Sequence, residues 1–198
     1  MNHLAAILRA AAADLASLRL RWALVGGLAV SARTEPRFTR DVDLVIAVSD
    51  DEGAEQAVHS LQQRGYHVHA LVEQEAAGRL ATTRLVPSGE SEAGAVLDVL
   101  FASSGIEPEI AEAAEALEIL PGLRVPVARV GHLLALKLLS RDDRTRPQDR
   151  ADLVALLRVA APADLDEARH SVTLIHARGF QRERDLSRDL EQLIARGA

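Results

Sequence analysis

The sequence predicts an α/β (α+β) fold, with strands and helices up to about residue 128 and helices alone after it. Three observations carry this. Short apolar runs at residues 21–25, 42–48 and 95–101 have strand length and are bounded by glycine or polar residues. Stretches between them carry helical spacing and caps. From residue 129 onward, four segments of helix length follow one another, separated by Pro, Asp or Gly. The expected organisation is a core over residues 1–128 and a helical region over residues 129–198 packed on it.

Taken in order, Leu4, Ile7, Leu8, Leu15 and Leu18 recur near a 3.6-residue period and predict an amphipathic helix over residues 2–19. Residues 21–25 predict a strand that stops at Gly26-Gly27, and residues 28–33 a short helix. Residues 42–48 predict a second strand. Asp50 and Asp51 cap a helix that runs to Arg64 and ends at Gly65. Residues 66–72, 80–86 and 95–101 predict strands, with a polar loop at 88–94. Residues 107–117, rich in Glu and Ala, predict a helix. Residues 123–127 predict a last extended piece, with Pro126 pointing to a sheet edge. Helices are expected over 129–140, 147–160, 164–178 and 181–196.

Composition narrows the function. The chain has 198 residues, 48% hydrophobic but only 3% aromatic, so its core is built from Leu, Val and Ala. Its 23 basic and 29 acidic residues give a net charge of −6, which disfavours a wide nucleic-acid footprint but not a local basic patch. There is no cysteine, which rules out disulfides and thiolate metal sites and is compatible with the cytoplasm. The N-terminus has no basic region ahead of its apolar run, and no stretch is long enough to span a membrane. His67 and His69 lie two residues apart on a predicted strand, without a third ligand for zinc.

The chemistry concentrates at three places. Gly26-Gly27 marks a strand-to-helix turn whose backbone N–H groups can approach an anion. Asp41 and Asp43 are two residues apart and project to one strand face, with Cα atoms roughly 6.5–7 Å apart. Adjacent carboxylates repel unless a cation lies between them. They suit a pair of Mg²⁺ ions about 3.5–4 Å apart, as used for in-line displacement at phosphorus. Asp98 interrupts the apolar run Ala95–Phe101, where a lone carboxylate is costly. It either joins the first two acids or meets an arginine.

The run Gly26-Gly27, Arg37-Phe38-Thr39-Arg40-Asp41-Val42-Asp43, then Asp98 in an apolar strand, resembles the DNA-polymerase-β-like nucleotidyltransferase superfamily. The form Arg-x-Thr-x-Asp-x-Asp is most similar to the AbiEii-type toxin group and its antibiotic-modifying cousins. The second half adds His132 to Arg141, with Lys137 inside it, and Asp149-Arg-Ala-Asp152-Leu. The resemblance implies a mixed sheet of polymerase-β type, an NTP substrate and two Mg²⁺ ions bound by Asp41, Asp43 and Asp98. It implies phosphate contacts from Gly26, Gly27, Arg37, Thr39 and Lys137, and a catalytic set of Asp41, Asp43, Asp98, Lys137 and Asp149. Asp152 would hold its helix in place. The acceptor hydroxyl would belong to a tRNA 3′ end or a protein, and the toxin would have a cognate antitoxin. Drug modification and non-catalytic nucleotide or partner binding are the alternatives. The chain departs from the pattern at Gly27, where many members carry Ser, and at Pro147-Gln148, which separate Arg146 from Asp149.

Independently of any resemblance, Lys137 is the only lysine of the chain. Within an apolar helix it serves either as a point charge for phosphate or as a surface residue whose stem lies along the helix. Arg33, Arg37 and Arg40 form a basic loop before the acids, able to steer a triphosphate or an RNA end, or to neutralise Glu35 and Asp41.

Overall fold

The computed structural model describes residues 2–74, 79–89, 96–142 and 147–196. Their order is α1 (Asn2–Ser17), β1 (Trp22–Val25), α2 (Gly26–Arg33), β2 (Val42–Ile46), α3 (Asp51–Gln62), β3 (Tyr66–Gln74), β4 (Arg79–Pro87), β5 (Leu97–Leu100), α4 (Glu107–Ala113), β6 (Glu115–Leu120), β7 (Leu123–Val127), α5 (Val130–Ser140), α6 (Pro147–Val159), α7 (Pro162–Ala177) and α8 (Leu186–Arg196).

The strands form one sheet in the order β3-β4-β5-β2-β1-β7-β6. β2 runs parallel to β5 and β1 parallel to β7, while the other neighbours are antiparallel, so the sheet is mixed as expected. Its central strands are short and apolar because helices cover both faces. Leu24, Leu44, Ile46 and Leu97 are wholly buried, and Leu8 and Leu15 of α1 and Leu133 and Leu138 of α5 close over them. α5 is apolar almost all round, the pattern of an interior helix. It packs against α2, α6 and α7 and so ties the helical tail to the glycine turn.

Local signals set several boundaries. Asp50 caps α3 by accepting the Gly53 N–H at 2.9 Å, and Gly65 leaves the helix end at φ +90°.

The structure differs from the sequence reading in several places, among them the start of the last helix, which is Leu186 and not residue 181. Gly26 and Gly27 open α2 themselves instead of preceding it, so the helix starts directly at the end of β1. Residues 107–117 do not form one helix. α4 stops at Ala113, and residues from Glu115 pair antiparallel with β7. Pro121 followed by Gly122 at φ +72° closes that hairpin, and strand pairing overrides the helical preference of Glu and Ala. β7 is not an edge strand, because β6 continues the sheet beyond it. Pro126 is accommodated because β7 meets β1 in register only at Leu24↔Val127, leaving no ladder bond there that needs its missing N–H. The expected loop over 88–94 lies largely outside the described residues, as does Arg146.

Candidate active site

β1 and β2 are antiparallel, with Val25 opposite Asp43. The chain leaves β1 at Gly26 with φ +62°, a left-handed conformation that suits glycine. A side-chain carbon at Gly26 would overlap the Asp43 carboxyl group, approaching its Cβ to 2.7 Å. Gly26 is therefore a requirement of close approach: backbone and carboxylate share one space. The Gly27 N–H lies close enough to the Asp43 carboxylate to favour its charged form. Gly27 is equally confined, since a carbon there would lie 2.7 Å from Thr39 Oγ1 and 2.9 Å from an Arg37 Nη atom.

β5 lies on the other side of β2, parallel to it, and the register sets Asp98 beside Asp43. Asp41 precedes β2 instead of sitting within it, half-buried, and is close enough to feel the charge of Asp98. The three predicted acids are thus brought together electrostatically. Loss of hydration, and then repulsion from Asp98, push the Asp43 carboxyl up to about 6, against the opposing pull of Lys137 and the Gly27 N–H. The same two effects raise Asp41, while Arg84 and Arg40 oppose them.

Asp98 also meets an arginine, as the alternative reading allowed. Arg84 stands opposite it on β4 and donates from Nε to Oδ1 at 2.8 Å and from Nη2 to Oδ2 at 2.7 Å. The structure pairs Asp98 with Arg84, and the strand register sets it beside Asp43. Arg84 is a site residue that the sequence analysis did not single out. Its signal was an arginine inside the apolar strand run, the counterpart of Asp98 in its own strand.

The helical tail supplies the opposite wall. A cleft of about 120 Å³ is lined by Gly26, Asp43, Leu100, Leu136, Lys137 and Ser140. Lys137 is not a surface residue: its Nζ lies 2.7 Å from Asp149 Oδ1 and 2.8 Å from Asp152 Oδ2. Asp149 also accepts the Ser140 hydroxyl at 2.9 Å. Asp152, 1% exposed, accepts from Arg37 Nε at 2.6 Å and Nη2 at 2.7 Å. Asp152 therefore ties α6 to α5 through Lys137 and to the loop before β2 through Arg37. Thr39 sits against Gly27 and Arg37 is committed to Asp152, so the two polar loop residues brace the glycine turn in this state.

The donor set suits a hard divalent cation. Asp41 and Asp43 offer carboxylate oxygens, and burial, then repulsion from Asp98, raises both carboxyl groups, an effect that a nearby cation would oppose. Asp98 has both oxygens engaged by Arg84. Among the described residues, no three acidic or histidine side chains are gathered closely enough to hold one ion. Ligation by Asp98 would require Arg84 to yield an oxygen.

A family model described as "Nucleotidyl transferase AbiEii toxin, Type IV TA system" matches residues 7–196. No curated protein matches the chain. Among solved structures, an antigenic nucleotidyltransferase-like protein from Paracoccidioides brasiliensis is similar over 96% of this chain and 93% of its own, with 22% identity and a TM-score of 0.56. The antibiotic-resistance factor ANT(2'')-Ia is similar over 96% of this chain and 89% of its own, with 18% identity and a TM-score of 0.50. At these identities the two structures establish the shared nucleotidyltransferase fold.

Proposed function

The chain belongs to the AbiEii nucleotidyl transferase toxin family, and on that premise we propose that it moves a nucleoside monophosphate from an NTP to a hydroxyl at a tRNA 3′ end or on a protein. The observation that carries the reading is the packing of Asp43 against Gly26, with Asp98 in register beside it and Asp41 at the strand entrance. A glycine turn and clustered carboxylates at one strand end are the parts that phosphoryl-group displacement needs.

Asp41 and Asp43 would hold Mg²⁺, joined by Asp98, and the metal would neutralise triphosphate charge and activate the acceptor hydroxyl. The N–H groups at the start of α2 face incoming phosphate. With one oxygen released by Arg84, Asp98 joins the metal or takes the hydroxyl proton. The acceptor oxygen bonds to the α-phosphorus, the α–β phosphoanhydride bond breaks, and pyrophosphate leaves. Lys137 lines the same cleft and would exchange one of its two carboxylates for phosphate oxygens. Asp149 then sets how readily Lys137 is released. Positioning and fixed charge supply most of the rate.

In this reading the protein is a toxin acting in the cytoplasm and is silenced by a cognate antitoxin. The test is incubation with each labelled NTP, total RNA and cell protein. Label in RNA or protein that requires Mg²⁺ and vanishes in Asp43→Ala supports the proposal. Transfer that survives Asp43→Ala overturns it. NTP binding without pyrophosphate release would identify a non-catalytic binder. Growth arrest on expression marks a toxin, whereas raised drug resistance marks an antibiotic-modifying enzyme.

A further inference from the structure

Two surfaces outside the candidate site carry opposite charge beside apolar residues. The first lies where α3 packs on β3 and β4, at one end of the sheet. A groove of about 390 Å³ there is lined by Val58, Leu71 and Leu80 and by the acids Asp51, Glu55 and Glu73. Every charged residue of its lining is acidic. Asp51 is met by Arg79 at 3.3 Å, whereas Glu55 and Glu73 have neither a hydrogen bond nor an ion pair among the described residues. Leu71 is 59% exposed, because β3 has no neighbour on its outer side.

The second is the outer face of α6. Pro147, Arg150, Ala151, Val154, Ala155 and Arg158 line it at helical spacing, while Asp149, Asp152, Leu153 and Leu156 are buried on the inner face. Arg150 and Arg158 are exposed, lie about 12 Å apart along the helix axis, and have neither a hydrogen bond nor an ion pair among the described residues. Val159, itself exposed, continues the apolar part of this face. One chain thus carries an apolar groove with two unpaired acids and an apolar helix face with two unpaired arginines.

We propose that these two surfaces dock on each other between copies of this chain, the α6 face of one copy seated in the α3–β3 groove of the next. Ala151, Val154 and Ala155 cover Val58, Leu71 and Leu80, and Arg150 and Arg158 meet Glu55 and Glu73. Apolar burial supplies the attraction, and the opposite charges set orientation and exclude other pairings. The two alanines leave room for the helix backbone to come close to the groove. α6 packs on α5 and α2, and α3 on β3 and β4, so each copy uses one surface toward one neighbour. A single contact leaves a groove and a helix face free, and assembly continues or closes on itself. The surfaces are small, so the association is weak and concentration-dependent. The inner face of α6 holds Lys137 through Asp149 and Asp152, which sets the docked copy behind the helix that anchors the site lysine.

The test is sedimentation velocity of the full chain at rising concentration, up to about 1 mM, at low and at physiological salt. Two charge-reversed variants accompany it, Glu55→Arg with Glu73→Arg, and Arg150→Glu with Arg158→Glu. All four side chains are exposed, so unfolding curves of both variants should match the wild type. The expected result is a wild-type mass that rises above 21.3 kDa with concentration and does so less at higher salt. Each variant alone should associate about tenfold more weakly or worse. An equimolar mixture of the two should regain association, because an acidic groove again meets a basic helix. A wild-type chain that stays monomeric at every concentration overturns the proposal and leaves the groove to a basic partner of another sequence. A mixture no better associated than either variant alone also overturns it, since a different surface would then join the copies.

Discussion

Arg84 and Asp98 face each other across β4 and β5 in a two-pronged ion pair, with nitrogen–oxygen distances of 2.8 and 2.7 Å, one strand away from Asp43. The arginine does for the acids what a metal ion would do: it places positive charge among mutually repelling carboxylates. It also fixes the orientation of Asp98. The site is therefore stable in this arrangement, and cation binding must compete with a side chain already there.

That competition is measurable. Arg84→Ala should lose about 1–3 kcal/mol of stability in chelator, because Asp98 is left part-buried and unpaired. Added Mg²⁺ should restore more of this loss in the variant than it adds to the wild type. Thermal unfolding with chelator and with Mg²⁺, for Arg84→Ala and Arg84→Lys, checks it. An equal Mg²⁺ response in all three proteins would show that Arg84 and the ion do not share Asp98.

The Asp43 carboxyl predicts a pH dependence. Its folded-state value of about 6 lies above the ordinary 3.8. A raised carboxyl keeps its proton in the folded chain at pH values where the unfolded chain has lost it. Its contribution is fully present below about pH 4 and is lost as pH rises through about 6. Asp43→Asn keeps the shape without the charge. In chelator it should exceed the wild type in stability by on the order of 2 kcal/mol near pH 8. The advantage should fade on acidification to about pH 4 and shrink when Mg²⁺ is added. Urea unfolding across pH reads it directly.

Asp152 should matter more to stability than Asp149. Removing Asp152 strips both Arg37 and Lys137 of a partner, whereas removing Asp149 leaves Lys137 with Asp152. Breaking one side of a buried pair costs about 3–5 kcal/mol. Asp152→Ala should approach that range and Asp149→Ala should fall well below it. Urea midpoints compared at constant slope decide the order.

Gly26 and Gly122 separate strain from collision. Both have positive φ, +62° and +72°, so alanine is strained at either by about 1–2 kcal/mol. Only at Gly26 would the new carbon also strike Asp43, while nothing lies within 4 Å of one at Gly122. Gly26→Ala should therefore be the more destabilising and should abolish nucleotide transfer, with Gly122→Ala still active. Unfolding curves and transfer assays on the two variants test this.

The amino-acid sequence by itself determined most of the strands and helices, the acids and the glycine turn, because each is a local pattern. Apolar runs of strand length, an Asp cap at residue 50 and a Gly pair after an apolar run need only neighbouring residues to be read. The family was legible for the same reason, since Arg37, Thr39, Asp41 and Asp43 lie within seven consecutive positions. Only the tertiary structure decided which residues meet. The parallel pairing of β2 with β5 put Asp98 beside Asp43 across more than fifty residues of chain, and β4 put Arg84 against it. The hairpin of β6 with β7 overrode a helical composition, because a strand edge supplied hydrogen bonds that propensity does not count. Lys137 read as either a phosphate contact or a surface lysine, and packing against α6 takes it off the surface and sets it between two carboxylates. Which charges neutralise one another depends on distances between elements far apart in the chain.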